Sequence, residues 1–311
     1  MILKKPKFWE HSSFSIWAFL LYPFSLIFIF LSYINKIKKS NKFPIPIICV
    51  GNINVGGTGK TPLATEIFRI VQSLGKKPAF IKKHYDYLND EIKMLEEIGS
   101  TFVASNRKDA INSLIKNNNN LAILDDGFQD FTIKKNFSIV CFNEKQWIGN
   151  GLVMPSGPLR ERLSAIKRAN CIVINGKKNS NIEDQIYKNN KNAKIFYSKY
   201  VAINIDKFKN KKISAFAGIA NPSNFFDLLK ENNLNLTNTF YFPDHHNFSM
   251  SEINALLGSV IGSDKILLTT EKDYFRFTEN SILKKNSIEY LKIRLEIENK
   301  DKFIDLLKKN I

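Results

Sequence analysis

Residues Gly51-Asn52-Ile53-Asn54-Val55-Gly56-Gly57-Thr58-Gly59-Lys60-Thr61 constrain this chain more than any other stretch. An apolar run, Ile45-Pro46-Ile47-Ile48-Cys49-Val50, precedes them and reads as a buried strand. Residues 62–71 follow with apolar side chains at helical spacing. Glycines between a strand and a helix let the backbone curl so that successive N–H groups point inward at an anion. The helix N-terminus adds the positive end of its dipole. A lysine placed like Lys60 reaches the outer phosphates, and a hydroxyl placed like that of Thr61 ligates magnesium. The pattern departs from G-x-x-x-x-G-K-[ST] at one place, where Asn54 stands for glycine. Asn accepts positive φ more readily than most side chains, so Asn54 is expected to keep the loop's turn. The competing reading is a Gly-rich turn before a surface lysine.

Beyond this loop, strands and helices alternate. Apolar strand candidates cover 45–50, 78–81, 121–124, 138–142 and 171–174, and helical patterns cover 61–74, 90–98, 108–116 and 164–169. This is the rhythm of a parallel sheet with crossover helices. A second rhythm begins near Lys212, with strands at 213–217, 239–242 and 266–269 and helices at 222–230 and 249–260. The polar stretch 188–210 is expected to link the two. The predicted fold is α/β: a phosphate-loop parallel-sheet domain over 43–205 and a second, smaller α/β domain over 206–311.

Residues 1–42 are of another kind. From Phe14 to Ile34 no charge interrupts 21 residues, about the length a helix needs to cross a bilayer core. Trp17, Tyr22 and Tyr33 suit interfacial anchoring, and Pro23 is expected to kink or break the helix. No small-x-small cleavage site follows, which argues against a signal peptide. Lys4, Lys5 and Lys7 flank one side and Lys36, Lys38, Lys39 and Lys42 the other. The more positive carboxyl flank is expected on the cytoplasmic side, in a helix that either spans or dips and returns at Pro23.

The net charge of +17, from 46 Lys plus Arg against 29 Asp plus Glu, suits anionic partners such as nucleotide, phosphorylated substrate or acidic lipid. Much of the excess is Lys in Asn-rich loops, and no RNA-binding aromatic signature or zinc finger is present, so no nucleic-acid partner is expected. Cys49, Cys141 and Cys171 each sit in an apolar run without metal-ligand spacing and read as buried free thiols.

Chemistry gathers at strand ends. Leu121-Ala122-Ile123-Leu124 runs into Asp125-Asp126. In a phosphate-loop protein an acid at the end of a neighbouring strand holds the magnesium shell. Moving a phosphoryl group to a hydroxyl also needs a proton acceptor, for which Asp90, Glu91, His84, His245 and His246 are candidates. His245 and His246 follow Asp244 at the end of an apolar strand, and neighbouring side chains on extended backbone point apart, which argues against a shared metal ion. The loop 149–162 is punctuated by Gly and Pro and carries Arg160 and Arg162, suited to clamping phosphate.

Together these pieces resemble the tetraacyldisaccharide 4'-kinase family, which phosphorylates lipid A precursors in Gram-negative bacteria. The resemblance rests on Val50-Gly51-Asn52, Val55 to Pro62, Asp90-Glu91, Asp125-Asp126-Gly127-Phe128-Gln129, Gly149-Asn150-Gly151 and Pro155 to Glu161. It extends through Ala217 to Pro222, Phe242 to His246 and Thr269-Thr270-Glu271-Lys272-Asp273, nearly the whole chain. It implies a kinase with ATP and Mg2+ as cofactors and a lipid A disaccharide 1-phosphate as substrate. It also implies contact with inner-membrane lipid on the cytoplasmic face of the bacterial inner membrane, and no obligate protein partner. Carried over residue by residue, the resemblance makes Asp90, His245 and Lys60 catalytic. Asn54, Val55, Gly56, Gly57, Thr58, Gly59, Lys60, Thr61, Arg107, Gln129 and Arg160 are then nucleotide-binding, and Thr61, Asp125, Asp126, Glu91 and Glu161 metal-binding. The chain departs from the family where Lys82-Lys83-His84-Tyr85 replaces a Ser-Arg-Gly-Tyr stretch, and the insertion before Asp90 is nearly gone. Asn89 and Ile92 replace the Gly and Pro that usually flank Asp90-Glu91, and Asp130 replaces a usual His. Two other readings remain at this point: a membrane-associated phosphate-loop ATPase or GTPase acting as a switch, and a family member that binds without catalysis.

Overall fold

The protein's computed structural model describes residues 6–10, 15–37, 39–85, 88–260, 264–277 and 288–311. Lys4, Lys5, Phe14 and Lys38 of the predicted membrane segment and its flanks lie outside the described residues. In chain order the first elements are α1 (Ile16–Lys36), β1 (Ile47–Gly51), α2 (Lys60–Ser73), β2 (Pro78–Lys83), α3 (Asn89–Glu96), β3 (Thr101–Ala104) and α4 (Arg107–Lys116). Then come β4 (Leu121–Asp125), β5 (Phe137–Asn143), β6 (Cys171–Asn175), α5 (Ser180–Asn189), β7 (Lys194–Ala202), β8 (Lys212–Ala217), α6 (Pro222–Glu231) and β9 (Asn235–Tyr241). The last are α7 (Met250–Gly258), β10 (Lys265–Thr270), α8 (Glu271–Phe277), β11 (Ile288–Leu291), β12 (Ile293–Ile297) and α9 (Lys300–Lys308).

An eight-stranded sheet in the order β12-β7-β6-β5-β1-β4-β2-β3 forms the larger of two compact units, which spans Lys5–His84, Ile98–Lys199 and Leu295–Ile311. From β7 to β3 each pairing is parallel. Parallel strands covered on both faces read as continuous apolar runs, and β1, β4, β5 and β6 are buried from end to end. Register sets the functional edge. Val50 pairs with Asp125, so the acid that ends β4 lies level with the start of the loop after β1. Gly59 precedes α2 as its N-cap, with a φ of 92° that only glycine adopts freely, and Pro62 falls in the first turn, where its missing N–H is harmless. Leu63, Ala64, Ile67, Phe68, Ile70 and Val71 form its buried face. Phe68 stacks on Phe80 of β2 at 4.6 Å, and burying such a ring stabilises by roughly 1.5–3 kcal/mol. Cys49, Cys141 and Cys171 are buried and free, and burial pushes the Cys49 thiol up to about 11.

The smaller unit holds Tyr85–Glu97 and Tyr200–Arg294. Its sheet, β11-β10-β8-β9, is parallel throughout. Ile213, Ala215 and Ala217 of β8 pack with Phe225, Phe226 and Leu229 of α6. Phe216 and Leu267 pack with Ile253 and Leu256 of α7 on the other face. α3 and α8 belong to this unit, although α3 lies far away in sequence.

Several expectations change. Residues 188–210, read as a linker, contain β7, because Ile195, Phe196 and Tyr197 are polar-flanked but pair with β6. β12 and α9, at the carboxyl end, belong for the most part to the larger unit, where Phe303 and Leu307 are fully buried. The segment read as a helix at 164–169 is a 3-10 helix, Leu163–Arg168. α1 does not break or return at Pro23 but runs through it to Lys36. A proline removes one i→i−4 hydrogen bond, and the long apolar runs on both sides carry the helix past the gap.

Within the larger unit, α1 lies against the loop after β5. Ala18, Ser25 and Ile29 fall on one stripe, with Ala18 and Ser25 buried and Ile29 packed on the core. The Ser25 hydroxyl donates to Val153 O at 2.8 Å and accepts from Ser156 N at 3.1 Å. Trp9 Nε1 donates to Pro155 O, and Lys36 pairs with Glu161 at 3.1 Å. The remaining faces of α1 are exposed, including Trp17, Phe19, Leu20, Phe24, Phe30 and Leu31.

Candidate active site

The loop after β1 is built by three devices. Gly56 and Gly59, at φ 103° and 92°, supply its left-handed turns. Asn52 reaches across it, its amide donating to Thr58 Oγ1 at 3.0 Å and to Gly56 O at 3.4 Å. The strand-like stretch 53–55 pairs with the loop after β5: Val55 N donates to Pro158 O and Arg160 N to Ile53 O, each at 2.7 Å. Asn54 bridges to Leu159 there, and its side-chain amide donates to Trp147 O. Asn54 is absent from the described residues with positive φ, so the left-handed role expected of it falls to Gly56. An extended residue with a hydrogen-bonding side chain suits that place better than glycine. Val55 N–H is already bonded and does not face inward as an anion donor.

The acids at the end of β4 face the same edge. The Thr61 hydroxyl donates to Asp125 Oδ2 at 3.0 Å, and Lys82 Nζ donates to the same oxygen at 2.6 Å. Asp125 Oδ1 is buried with no hydrogen-bond partner. A buried carboxylate oxygen beside a threonine hydroxyl is an unmet demand that a hard cation or its water satisfies, so these residues fit Mg2+. Asp126 takes φ 58° and receives both its carboxylate contacts from Arg160, at 2.8 and 3.1 Å, with Lys60 at 3.9 Å. Burial alone would raise its carboxyl, but Lys60 and Arg160 outweigh that and hold it below the usual aspartate range.

Gln129, Arg107 and Glu161 hold neighbours. The Gln129 amide donates to Asn52 O at 2.8 Å. Arg107 donates to Asp126 O at 2.8 Å and to Asp130 at 3.2 Å, so Asp130 is the partner of an arginine. Arg107 Nε is buried without a partner, a donor left for an anion. Glu161 is gripped by Arg168 through both oxygens, at 2.8 and 3.0 Å, and by Lys36. Burial opposes its charge, yet Arg168 and Lys36 keep it below the usual glutamate range. That arrangement is an ion-pair hub, unlike the metal-ligand role expected of Glu161.

The second cluster is built within the smaller unit. Asp90 is in the first turn of α3, 4% exposed, with Oδ1 accepting from Glu91 N at 2.8 Å. Its Oδ2 accepts from Arg276 Nη2 at 2.7 Å and Nε at 3.3 Å, and His245 Nδ1 lies 3.6 Å away. Burial pushes the Asp90 carboxyl up, but His245, Lys272 and Arg276 together bring it below the usual range. His245 sits at φ 56°, a left-handed conformation that turns the chain after β9 so the imidazole faces α3. His246 points elsewhere: its Nε2 meets both oxygens of Glu252 at 3.0 and 3.1 Å, and its ring stacks on Phe242. Lys272 Nζ lies 3.1 Å from His245 Nε2, 3.1 Å from Glu91 and 3.3 Å from Asp244. Burial disfavours its charge, but Glu91, Asp244 and Asp90 outweigh that and raise it above the usual lysine value. Glu91 is thus a lysine partner within this unit. Asp273, fully buried, accepts from Gly218 N, Thr270 Oγ1 and Arg276 Nη1.

A family model described as tetraacyldisaccharide-1-P 4'-kinase matches residues 17–311. The chain belongs to that kinase family. It is 42% identical over 320 residues to a tetraacyldisaccharide 4'-kinase of Pelagibacter ubique (strain HTCC1062), covering 100% of each. A tetraacyldisaccharide 4'-kinase of Parvibaculum lavamentivorans (strain DS-1 / DSM 13023 / NCIMB 13966) is 31% identical, with 89% of this chain and 87% of that one covered. The fold matches a crystal structure of LpxK from Aquifex aeolicus in complex with ATP: the TM-score is 0.70 at 22% identity, covering 94% of this chain and 98% of that one.

Sequence reasoning assigns no role to Lys82 or Arg276, the two cations that neutralise Asp125 and Asp90 in this kinase-family member. One signal was available for each. Lys82 interrupts an apolar strand beside β4, and Arg276 stands one helical turn after Asp273.

Proposed function

We propose that this chain transfers the γ-phosphoryl group of ATP to the 4'-hydroxyl of a tetraacyldisaccharide 1-phosphate at the cytoplasmic face of the inner membrane. The observation that carries this reading is the Asp90–His245 contact at 3.6 Å, which supplies a proton acceptor that a conformational-switch ATPase has no use for. Lys60 and the glycine-rich loop hold the phosphates, and Arg160 and Arg107 add charge at the same edge. Thr61 and Asp125, with Asp126 beside them, would hold Mg2+, which would offset phosphate charge when bound. His245 Nε2 takes the proton of the 4'-hydroxyl. The sugar oxygen then bonds the γ-phosphorus while the bond to the leaving ADP oxygen breaks. Asp90 orients the imidazole and stabilises its charged form.

The exposed aromatic and aliphatic faces of α1 suit lipid, while its stripe from Ala18 to Lys36 is held by the larger unit. A helix docked in this way lies in the interface instead of crossing the bilayer. The net charge of +17 favours an anionic membrane surface and an acceptor that carries a phosphate.

The test is to incubate the purified chain in detergent with labelled ATP, Mg2+ and the disaccharide 1-phosphate. Label is expected on the lipid, with turnover falling at least about a hundredfold in His245→Ala and in Asp90→Ala while ATP affinity holds. ATP hydrolysis without labelled lipid would sink the proposal in favour of a switch, and neither activity would favour a binding protein.

A further inference from the structure

His245 stands among charges of both signs. Asp90 and Glu91 of α3, Asp244 and His246 of its own turn, and Lys272, Asp273 and Arg276 of α8 form its charged surroundings. The Lys272 ammonium meets its ring within hydrogen-bond distance, 3.1 Å from Nε2. Two carboxylates lie farther off, Asp90 Oδ2 at 3.6 Å from Nδ1 and Asp244 Oδ1 at 3.9 Å from Nε2. An ammonium group only donates, so the nitrogen that faces it must be an acceptor. In a neutral imidazole the other nitrogen then carries the proton, which selects the tautomer protonated at Nδ1 with the lone pair at Nε2 and leaves Asp90 on the protonated side.

We infer that Lys272 is a positioning residue that keeps His245 a neutral base with its lone pair on Nε2. Without Lys272 the carboxylates of Asp90, Glu91 and Asp244 would face the imidazole with only Arg276 to offset them, and a second ring proton would be favoured. An imidazolium has no lone pair with which to accept the sugar proton. Lys272 is held where it acts by Glu91 and Asp244, at 3.1 and 3.3 Å, so its position does not depend on the ring. When an acceptor hydroxyl reaches Nε2 it replaces the ammonium as donor, and Lys272 keeps its two carboxylates. The proton balance is simple: the hydroxyl proton moves to Nε2, Nδ1 keeps its own, and the resulting cation is shared between Asp90 and, unfavourably, Lys272. That last repulsion drives the proton onward to solvent.

The inference rests on the phosphoryl-transfer reading, but its test does not need turnover. The full chain in detergent, labelled with 15N at histidine, is titrated by NMR, with the His245 signals assigned from their loss in His245→Ala. In the unsubstituted protein at about neutral pH the expected pattern is a neutral ring protonated at Nδ1. Lys272→Met is expected to raise the midpoint of His245 protonation by about one pH unit, a tenfold change in the ratio of charged to neutral ring. Its kinase turnover should fall about two- to threefold near neutral pH and about tenfold at pH values below the parent midpoint, and recover at alkaline pH, with KM for ATP unmoved. Lys272→Arg retains the charge and should titrate as the parent does. Asp244→Asn, which removes a facing carboxylate, should move the midpoint the other way, and it keeps the test alive if Lys272→Met folds poorly. A proton on Nε2 in the neutral parent, or an unshifted midpoint in Lys272→Met, overturns the inference. Absence of lipid phosphorylation with the NMR shifts intact would instead overturn the functional reading alone.

Discussion

Replacing Arg276 with methionine asks whether charge holds the acid–base cluster of the smaller unit together. Arg276 faces Asp90 Oδ2 at 2.7 Å and Asp273 Oδ1 at 2.9 Å, and those carboxylates are 4% and 0% exposed. Methionine keeps much of the stem's volume and removes both ion pairs. Breaking one buried pair costs about 3–5 kcal/mol, because a charge is left without compensation. Lys272 and His245 stay near Asp90, and Gly218 N–H and Thr270 Oγ1 still donate to Asp273. The low end, about 3 kcal/mol, is therefore expected, which is roughly a hundredfold in an opening equilibrium. Hydrogen exchange of α3 and α8 peptides reads that equilibrium directly. The pH dependence carries a sign. In the parent, Asp90 is below its unfolded value of roughly 3.9, so its contribution is complete above that pH and fades as pH falls through the folded value. In Arg276→Met both Arg276 contributions are lost while those of His245 and Lys272 remain, so the carboxyl rises toward its unfolded value and the group's contribution shrinks. The difference in exchange between parent and variant, corrected for intrinsic rates, should stay level from about pH 7 to about pH 5 and narrow only below about pH 4. Adding Asp90→Asn to Arg276→Met should restore part of the protection. Exchange within threefold of the parent at both pH values would refute a charge-held cluster.

Two further perturbations test the larger unit. Gly51→Ala would place a Cβ 2.4 Å from Phe128 Cβ and 3.0 Å from Phe128 N, so two backbone segments must separate where the phosphate loop meets Asp125. A stability loss of about 1–3 kcal/mol and about tenfold weaker ATP binding are expected, and an unchanged melting point with unchanged ATP affinity would contradict this packing. Ser25→Leu leaves Val153 O and Ser156 N without their hydroxyl partner and adds bulk at a buried position, for a cost of about 1–3 kcal/mol. Denaturant midpoints in detergent measure it, and a midpoint equal to the parent's would show that α1 is not docked through Ser25.

What the sequence made legible was local. The loop, its helix and the strand ending in Asp125-Asp126 are contiguous signals, and β1, β4, β5 and β6 read clearly because both faces of each are buried. β7 did not read as a strand, because Lys194, Ser198 and Lys199 break its apolar run and it is edged by β12 on one side. The Asp90–His245 contact joins residues 155 positions apart, which no periodicity reveals; the family resemblance suggested it, and the structure brings the two side chains together. Arg276 escaped notice for the same reason, since its contact with Asp90 spans 186 positions.

Asn54 shows how a departure from a motif is explained by a partner that the motif does not mention. Judged against the phosphate-loop pattern, it is a missing glycine. Judged by its contacts, it is one of four ties between residues 53–55 and the segment 146–160, with Val55 N to Pro158 O, Arg160 N to Ile53 O and Gln146 Nε2 to Val55 O. The same segment receives Ser25 of α1 at Val153 and Ser156, and Trp9 at Pro155. One loop thus fixes both the phosphate loop and the apolar helix. A glycine at 54 would free the turn but would forfeit the side-chain bond to Trp147 O, and the turn does not need it, because Gly56 and Gly59 already supply the left-handed residues. The phosphate loop of this chain is therefore shaped as much by what anchors it as by the phosphate it is built to receive.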